Sequence, residues 1–131
     1  MQQPLPFGKA WLTAYFQMVD RLDPEEFVTW YAEDCVFRFG NAPAVKGKPA
    51  IIAVLRGFYA LISAMRHEQT GSWADADSGV FEALAHFETA GGNSLVLPVM
   101  TSLRTREGKI TRLLMVMDAA PLLALTAGET A

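Results

Sequence analysis

The stretch from Trp30 to Ile51, WYAEDCVFRFGNAPAVKGKPAI, constrains the fold more than any other. An aromatic helix end runs into the acidic corner Glu33-Asp34, and Val36-Phe37-Arg38-Phe39 follows as a short strand. Gly40 to Pro43 reads as a loop in which Asn41 is suited to bond its own backbone. A new helix opens just after Gly47, with Pro49 at its first position, where a missing N–H leaves no bond unmade. A chain that turns this way drapes helices over a sheet and leaves a hollow between the layers.

Upstream, residues 1–7 carry Pro4 and Pro6 and are expected to form a loose arm. From Gly8 a helix places Trp11, Tyr15, Met18 and Leu22 on one side, with Leu12, Phe16 and Val19 beside them. That stripe is wide enough to lie on a sheet. Asp23-Pro24-Glu25-Glu26 restarts the chain as a short helix: Asp23 caps it, Pro24 takes the first position and Glu26 completes a capping box. Phe27, with Trp30 or Tyr31, is the buried side of that helix. After Gly47, Ile51, Leu55, Phe58, Ile62 and Met65 form a third helical stripe, flanked by Ile52 and Tyr59. Gly57 within it costs about 1 kcal/mol relative to alanine, which predicts a close neighbour there.

From Arg66 the period shortens to that of strands. They are expected near His67–Trp73, Val80–Thr89, Leu95–Thr105 and Ile110–Asp118, separated by turn residues at 75–79, 91–93 and 106–109. Turns this short make an antiparallel meander. Pro121–Leu125 reads as a last helical turn or a covering arm. The expected architecture is one α+β domain over residues 1–131, with three N-terminal helices on an antiparallel sheet.

Composition sets the bounds. The chain has 131 residues, 51% of them hydrophobic, enough for a real core. A net charge of -3 without a basic block argues against a nucleic-acid partner. The first residues lack the charged start and apolar run of a secretory leader. No apolar run reaches membrane length, so no membrane partner is expected. Cys35 stands alone, which excludes an internal disulfide and suits a reducing compartment. The expected location is cytoplasmic. Two segments, Leu95–Met100 and Leu113–Met117, are apolar at nearly every position, whereas an antiparallel strand with one wet face alternates. Helices cover one face only, so a second copy of the chain is expected over the other, giving a homodimer. The charged fraction of 19%, below the usual quarter, agrees with a covered surface.

The order of these pieces carries a resemblance: a helix, a capped short helix, YAED, a strand, a Gly loop with GKPAI, a helix, and a meander ending in EGKI and MDAAPL. It resembles the nuclear transport factor 2-like superfamily, in its SnoaL-like and ketosteroid-isomerase-like branch, over about Phe7 to Leu123. The resemblance implies a cystatin-like cone, a curved antiparallel sheet wrapped by the three helices around a deep pocket, commonly dimeric through the outer sheet face. It also implies a small, largely apolar organic ligand. Residue by residue, Tyr15 in AYFQMVD stands where that branch has a tyrosine donating to an oxyanion, and Tyr31 in WYAED where a second tyrosine supports it. The general base and the second acidic donor of the isomerases fall, ungapped, on Phe39 and Met100. A site without its base does not shuttle a proton, so steroid isomerisation is not expected. Of the acid-Arg-acid set in epoxide-hydrolase-like members only Asp118 matches, the other places reading Ala85 and Phe87. Dehydratase-like members pair histidine with tyrosine and aspartate in the cone, a grouping that His67, Tyr15 and Asp118 could supply.

The candidate catalytic set is therefore His67, Tyr15 and Asp118, in a cofactor-free lyase, isomerase or hydrolase. Tyr31, Phe39, Phe58, Ala85, Phe87, Met100, Met115 and Met117 are the candidate ligand contacts. Each has a plainer reading. His67 suits acid–base work near neutral pH, or is a bonded histidine at a strand start. Tyr15 donates to a ligand, or is core with a satisfied hydroxyl. Asp118 is a pocket acid, or caps Pro121–Leu125. Arg38 is expected outward, and Cys35 beside Asp34 inert. His86 and Glu88 lack a third partner for a metal, and no phosphate loop, dinucleotide fingerprint or nucleophile elbow occurs, so neither metal nor cofactor is expected. The competing function is a binding or interaction module without chemistry.

Overall fold

The computed structural model describes residues 5–129. The chain runs α1 (Lys9–Val19), α2 (Pro24–Phe27), a 3-10 turn (Val28–Trp30), β1 (Tyr31–Phe39), β2 (Val45–Lys46) and α3 (Lys48–Tyr59). β3 (Ile62–Ala74), β4 (Ser78–Thr89), β5 (Ser94–Arg106), β6 (Lys109–Val116) and α4 (Ala120–Glu129) complete it. The strands form one open, curved sheet in the order β2-β1-β6-β5-β4-β3. β3 to β6 are an antiparallel meander, while β1 joins β6 in parallel, with Phe37 opposite Leu113 and Phe39 opposite Met115.

Period-2 alternation decides which side of the sheet is dry. On β4 the odd positions Phe81, Ala83, Ala85, Phe87 and Thr89 are all buried. On β5 Leu97, Val99, Thr101, Leu103 and Thr105 are buried, and their even neighbours are exposed. α1 lies on this concave face. Leu12, Tyr15, Phe16, Met18 and Val19 sink into it, and the Phe16 ring stacks on Phe81 with centroids 4.0 Å apart. Close approach needs Gly79, where a Cβ would stand 3.1 Å from Leu12 Cδ1 and 3.2 Å from the Trp73 carbonyl oxygen. Trp11, Tyr15, Phe27, Trp30 and Tyr31 then form a continuous ring cluster that clamps α1 and α2 to the start of β1.

Several sequence expectations shift. β1 begins at Tyr31, so the acidic corner Glu33-Asp34 lies within the strand. Ile62 and Met65 are on β3, not on α3, which ends at Tyr59; their apolar spacing fits a helix and a strand equally well. Asp23 does cap α2, accepting from the N–H groups of Glu25 and Glu26. The Glu26 carboxylate, however, does not close a capping box, because Arg21 takes both its oxygens at 2.9 Å. Gly57 has open space around it, not the close neighbour predicted. The C-terminal apolar piece is a full helix, α4, that buries Leu122 and Thr126. Its far end is pinned by Glu129, whose carboxylate accepts from the Thr89 hydroxyl, the Gly91 N–H at 3.0 Å and the Asn93 amide at 2.7 Å. The loose arm over 1–7 lies partly outside the described residues.

Candidate functional site

Between the concave face and the helices lies an apolar hollow. α1 contributes Tyr15, Phe16 and Val19, α3 contributes Val54, Leu55, Phe58 and Tyr59, and the sheet contributes Phe39, Met65, His67, Ala85, Phe87, Val99, Thr101, Leu113, Met115 and Met117. Its free volume is only about 30 Å³, the share of a single water in the liquid. A larger ligand therefore needs side chains to swing aside. The half-buried ones are Phe39, Val54, Phe58, Tyr59, His67 and Met115.

The polar end is built from α1 and β3. β3 turns Met65 and His67 inward, and Ala85 is the cross-strand partner of His67, so only a methyl group stands beside the imidazole. Phe16 packs against the ring with centroids 5.0 Å apart. Asp20, the last residue of the α1 turn, reaches across. Its Oδ1 accepts from His67 Nδ1 at 2.6 Å and its Oδ2 from the His67 backbone N–H at 2.9 Å. The imidazole is 5% exposed and the Asp20 side chain 21%. A carboxylate only accepts, so the hydrogen of neutral His67 sits on Nδ1, and Nε2 keeps its lone pair for something else. A carboxylate at a helix C-terminus opposes the helix dipole. The two bonds from His67 offset that cost.

Three tyrosine hydroxyls complete the polar end. Tyr15 and Tyr31 share one hydrogen bond of 2.5 Å, and both are fully buried. Burial pushes both phenols well above their ordinary pKa; for Tyr31 the neighbouring Tyr15 adds to it. Two hydroxyls joined by one bond use one of their two hydrogens; the second has no acceptor among the described residues. Tyr59 is starker. Its hydroxyl oxygen is buried with no hydrogen-bond partner, the sole such side-chain atom among the described residues. Burial raises its pKa, and the nearby carboxylates of Asp20 and Asp23 raise it further. The hollow thus presents free O–H donors and one free imidazole lone pair inside apolar walls.

The sequence-derived residues divide. His67, Tyr15, Phe39, Phe58, Ala85, Phe87, Met115 and Met117 all border the hollow. Tyr31 does not, standing behind Tyr15 as its hydroxyl partner. Met100 is a correction: it is an even position of β5, 44% exposed on the opposite face. Its inward neighbours are Val99 and Thr101, so no acid faces inward at that level. Asp118 is the second correction. It is exposed beyond the end of β6 and accepts from the Ala120 N–H at the start of α4, so its capping reading holds and it does not border the hollow. The acid beside His67 is Asp20. Asp20 and Tyr59 were missed by sequence reasoning; the signals available were an acid closing an apolar helix stripe and a tyrosine on the flank of the next. Arg38 points outward and donates to the Ala42 carbonyl. Cys35 is buried, its thiol pKa raised by desolvation. His86 bonds Glu68 on the outer face, and no group of metal-binding side chains forms among the described residues.

Residues 12–113 match the family model of the SnoaL-like domain. The chain belongs to the SnoaL-like domain family. No curated protein sequence matches it. Among solved structures it is similar to a hypothetical protein of Catenulispora acidiphila with a ketosteroid isomerase-like fold, in complex with trimethylamine, at 20% identity and a TM-score of 0.79, over 92% of this chain and 95% of that one. It is also similar to a protein of Xanthomonas campestris pv. campestris assigned as a polyketide cyclase, with 19% identity, a TM-score of 0.75, and 89% and 94% coverage. A protein of Shewanella putrefaciens assigned as a SnoaL-like polyketide cyclase gives 16% identity and a TM-score of 0.77 over 95% and 98%. At these identities the structural likeness is one of fold. The SnoaL-like fold accounts for the open sheet, the helices on its concave side and the hollow; the residues in that hollow are this chain's own.

Proposed function

We propose that this SnoaL-like domain performs cofactor-free general acid–base chemistry on a small, largely apolar compound carrying a carbonyl or hydroxyl oxygen, as a lyase or isomerase. The observation that carries this reading is the Asp20–His67 pair beside the orphan hydroxyl of Tyr59. Asp20 holds the imidazole in the tautomer whose Nε2 is a base, and positions it from two sides. Tyr59 donates to the substrate oxygen, where negative charge develops when a neighbouring C–H loses its proton to Nε2. The proton stays on the imidazolium, stabilised by Asp20, and returns to carbon in an isomerisation or to a departing hydroxyl in a dehydration. Tyr15 supplies a second donor when it accepts from Tyr31 and turns its own hydrogen to the hollow. The phenylalanines and methionines hold the apolar body, the thioethers adapting to its outline.

The test is α-proton exchange of small aryl ketones in D2O, followed by NMR, with 2-naphthol as a binding probe that mimics an enol. Expected are exchange that His67→Ala abolishes and Asp20→Asn lowers about 100-fold or more, and naphthol binding that Tyr59→Phe weakens. Exchange unaffected by His67→Ala would remove the assignment. The small free volume favours a second reading, an interaction module whose cone is filled by its own side chains. Absence of naphthol binding at millimolar concentration would select that one.

The functional unit is proposed to be a homodimer. Leu84, Val96, Pro98, Met100 and Val116 form a contiguous apolar band on the outer face, with Val96, Met100 and Val116 at 47%, 44% and 56% exposure. A second copy covers such a face with the same face of its own. Light scattering at micromolar concentration is expected to give about twice the chain mass.

A further inference from the structure

The outer face holds a groove, away from the hollow. Cross-strand register sets two adjacent rows of outward side chains near the β3–β4 and β5–β6 turns. One row reads Trp73, Val80, Ser102, Leu114, and the next Ser78, Arg104, Arg112. They line a groove of about 440 Å³, within the range of small-molecule sites. Arg104 lies about 13 Å along β5 from Met100, beyond the apolar band assigned to the dimer.

Arg104 and Arg112 stand directly opposite each other on neighbouring strands and are both exposed. Like charges in that position repel and destabilise the pairing. Three other exposed arginines have carboxylate partners, Arg21 with Glu26, Arg56 with Glu25 and Arg106 with Asp34, whereas Arg66 has none among the described residues. Neither Arg104 nor Arg112 has a side-chain hydrogen bond or ion pair among the described residues. Asp75 is the single carboxylate lining the groove, so two guanidiniums face one acid. Trp73, which lines the same groove, is 54% exposed. Its ring is laid over Gly71, where a Cβ would come within 2.7 Å of ring carbon Cη2. Absence of that Cβ lets the indole lie along β3 and keep a face open. The indole and the two unneutralised planar cations line one groove, and an apolar ring surface combined with such cations suits a flat anion.

We propose that this groove binds a planar aromatic carboxylate, its ring against Trp73 and Val80 and its carboxylate between Arg104 and Arg112. The site is independent of the acid–base reading of the hollow. The test uses the full chain, 15N-labelled, and the three tryptophan indole N–H signals, that of Trp73 being assigned by Trp73→Phe. On titration with 2-naphthoate the Trp73 signal is expected to move saturably, and Arg104→Gln or Arg112→Gln to weaken binding about tenfold. Neutral 2-naphthylmethanol should bind more weakly by a similar factor, inorganic phosphate should leave the signal in place, and His67→Ala should leave naphthoate binding unchanged. Three results would overturn the proposal: no saturable shift at millimolar naphthoate, an equal response to the neutral alcohol, or a response abolished by His67→Ala, which would move the ligand to the hollow. Sedimentation of the Arg104→Gln/Arg112→Gln protein supplies the remaining arm. Conversion of a dimer to a monomer, with no naphthoate effect on the parent, would make the arginines part of a contact between copies and refute ligand binding.

Discussion

Replacing Tyr59 by phenylalanine should stabilise the free protein and weaken the bound state. The ring keeps its place beside Phe58 and in the wall of the hollow; only the oxygen leaves. That oxygen is buried without a partner. A hydroxyl in that condition carries an unrecovered desolvation cost of about 1–3 kcal/mol. Its removal should raise unfolding free energy by about that amount, which for a chain of this size is about 3–5 °C in Tm per kcal/mol. Urea unfolding of parent and variant at unchanged m-value measures it. In the complex the sign reverses. A substrate oxygen that accepts from Tyr59 loses one bond of about 0.5–1.5 kcal/mol, about two- to tenfold in Kd, and turnover falls by more if the bond strengthens as charge develops. Opposite signs in the two assays are the signature of a donor held unpaired for a ligand. A Tyr59→Phe protein less stable than its parent would show that the hydroxyl is already satisfied in solution, and the site would lose its free donor.

Four further outcomes are expected. Met100→Lys or Val116→Lys, each placing a charge in the outer apolar band, should halve the mass seen by light scattering while leaving the far-ultraviolet circular dichroism unchanged. The Glu129 carboxyl is held below its ordinary pKa by the Asn93 amide first and the Thr89 hydroxyl next. A depressed carboxyl stabilises above its unfolded value and loses that contribution as pH falls through the folded one, so protection of the α4 amides, taken relative to intrinsic exchange, should fall as pH drops below the ordinary glutamate range. Glu129→Gln should lose this pH dependence. Gly91→Ala, whose Cβ would stand 2.6 Å from Glu129 Oε1, should release the same end of α4 at neutral pH. Gly79→Ala should cost about 1–3 kcal/mol in urea unfolding by forcing Leu12 and Phe7 away from the sheet.

Much of the layer order was legible because it rests on period. The helical stripe of α1 and the alternation on β4 and β5 are printed in the residue types, and the Asp23-Pro24 start of α2 is a local signal with a local mechanism. Ile62 and Met65 were misplaced because positions three and four apart on a helix can equally lie on either face of a strand, and no Gly or Pro separates α3 from β3. Inside the site, His67 and Tyr15 were visible by type. Asp20 was not, since its role depends on β3 crossing α1 at one level, a tertiary fact with no trace in spacing. Asp118 illustrates the converse: an acid before a helix start satisfies a local need, and the local need wins. Met100 was lost to parity, because one step along β5 moves a side chain to the other face.

The parallel pairing of β1 with β6 has a consequence for how the chain is made. Phe37 and Phe39 emerge from the ribosome early, yet the strand that flanks them, carrying Leu113 and Met115, comes near the end. Until then the sole partner available to β1 is the two-residue β2. At about 5–20 residues per second of synthesis, β1 waits for several seconds with an apolar edge unpaired. Its neighbours in the ring cluster, Phe27 and Tyr31, wait with it. A topology that closes last at its middle folds slowly and exposes its stickiest strand longest. Nascent chains halted at the β5–β6 turn are therefore the species in which this protein should aggregate, however stable the finished domain.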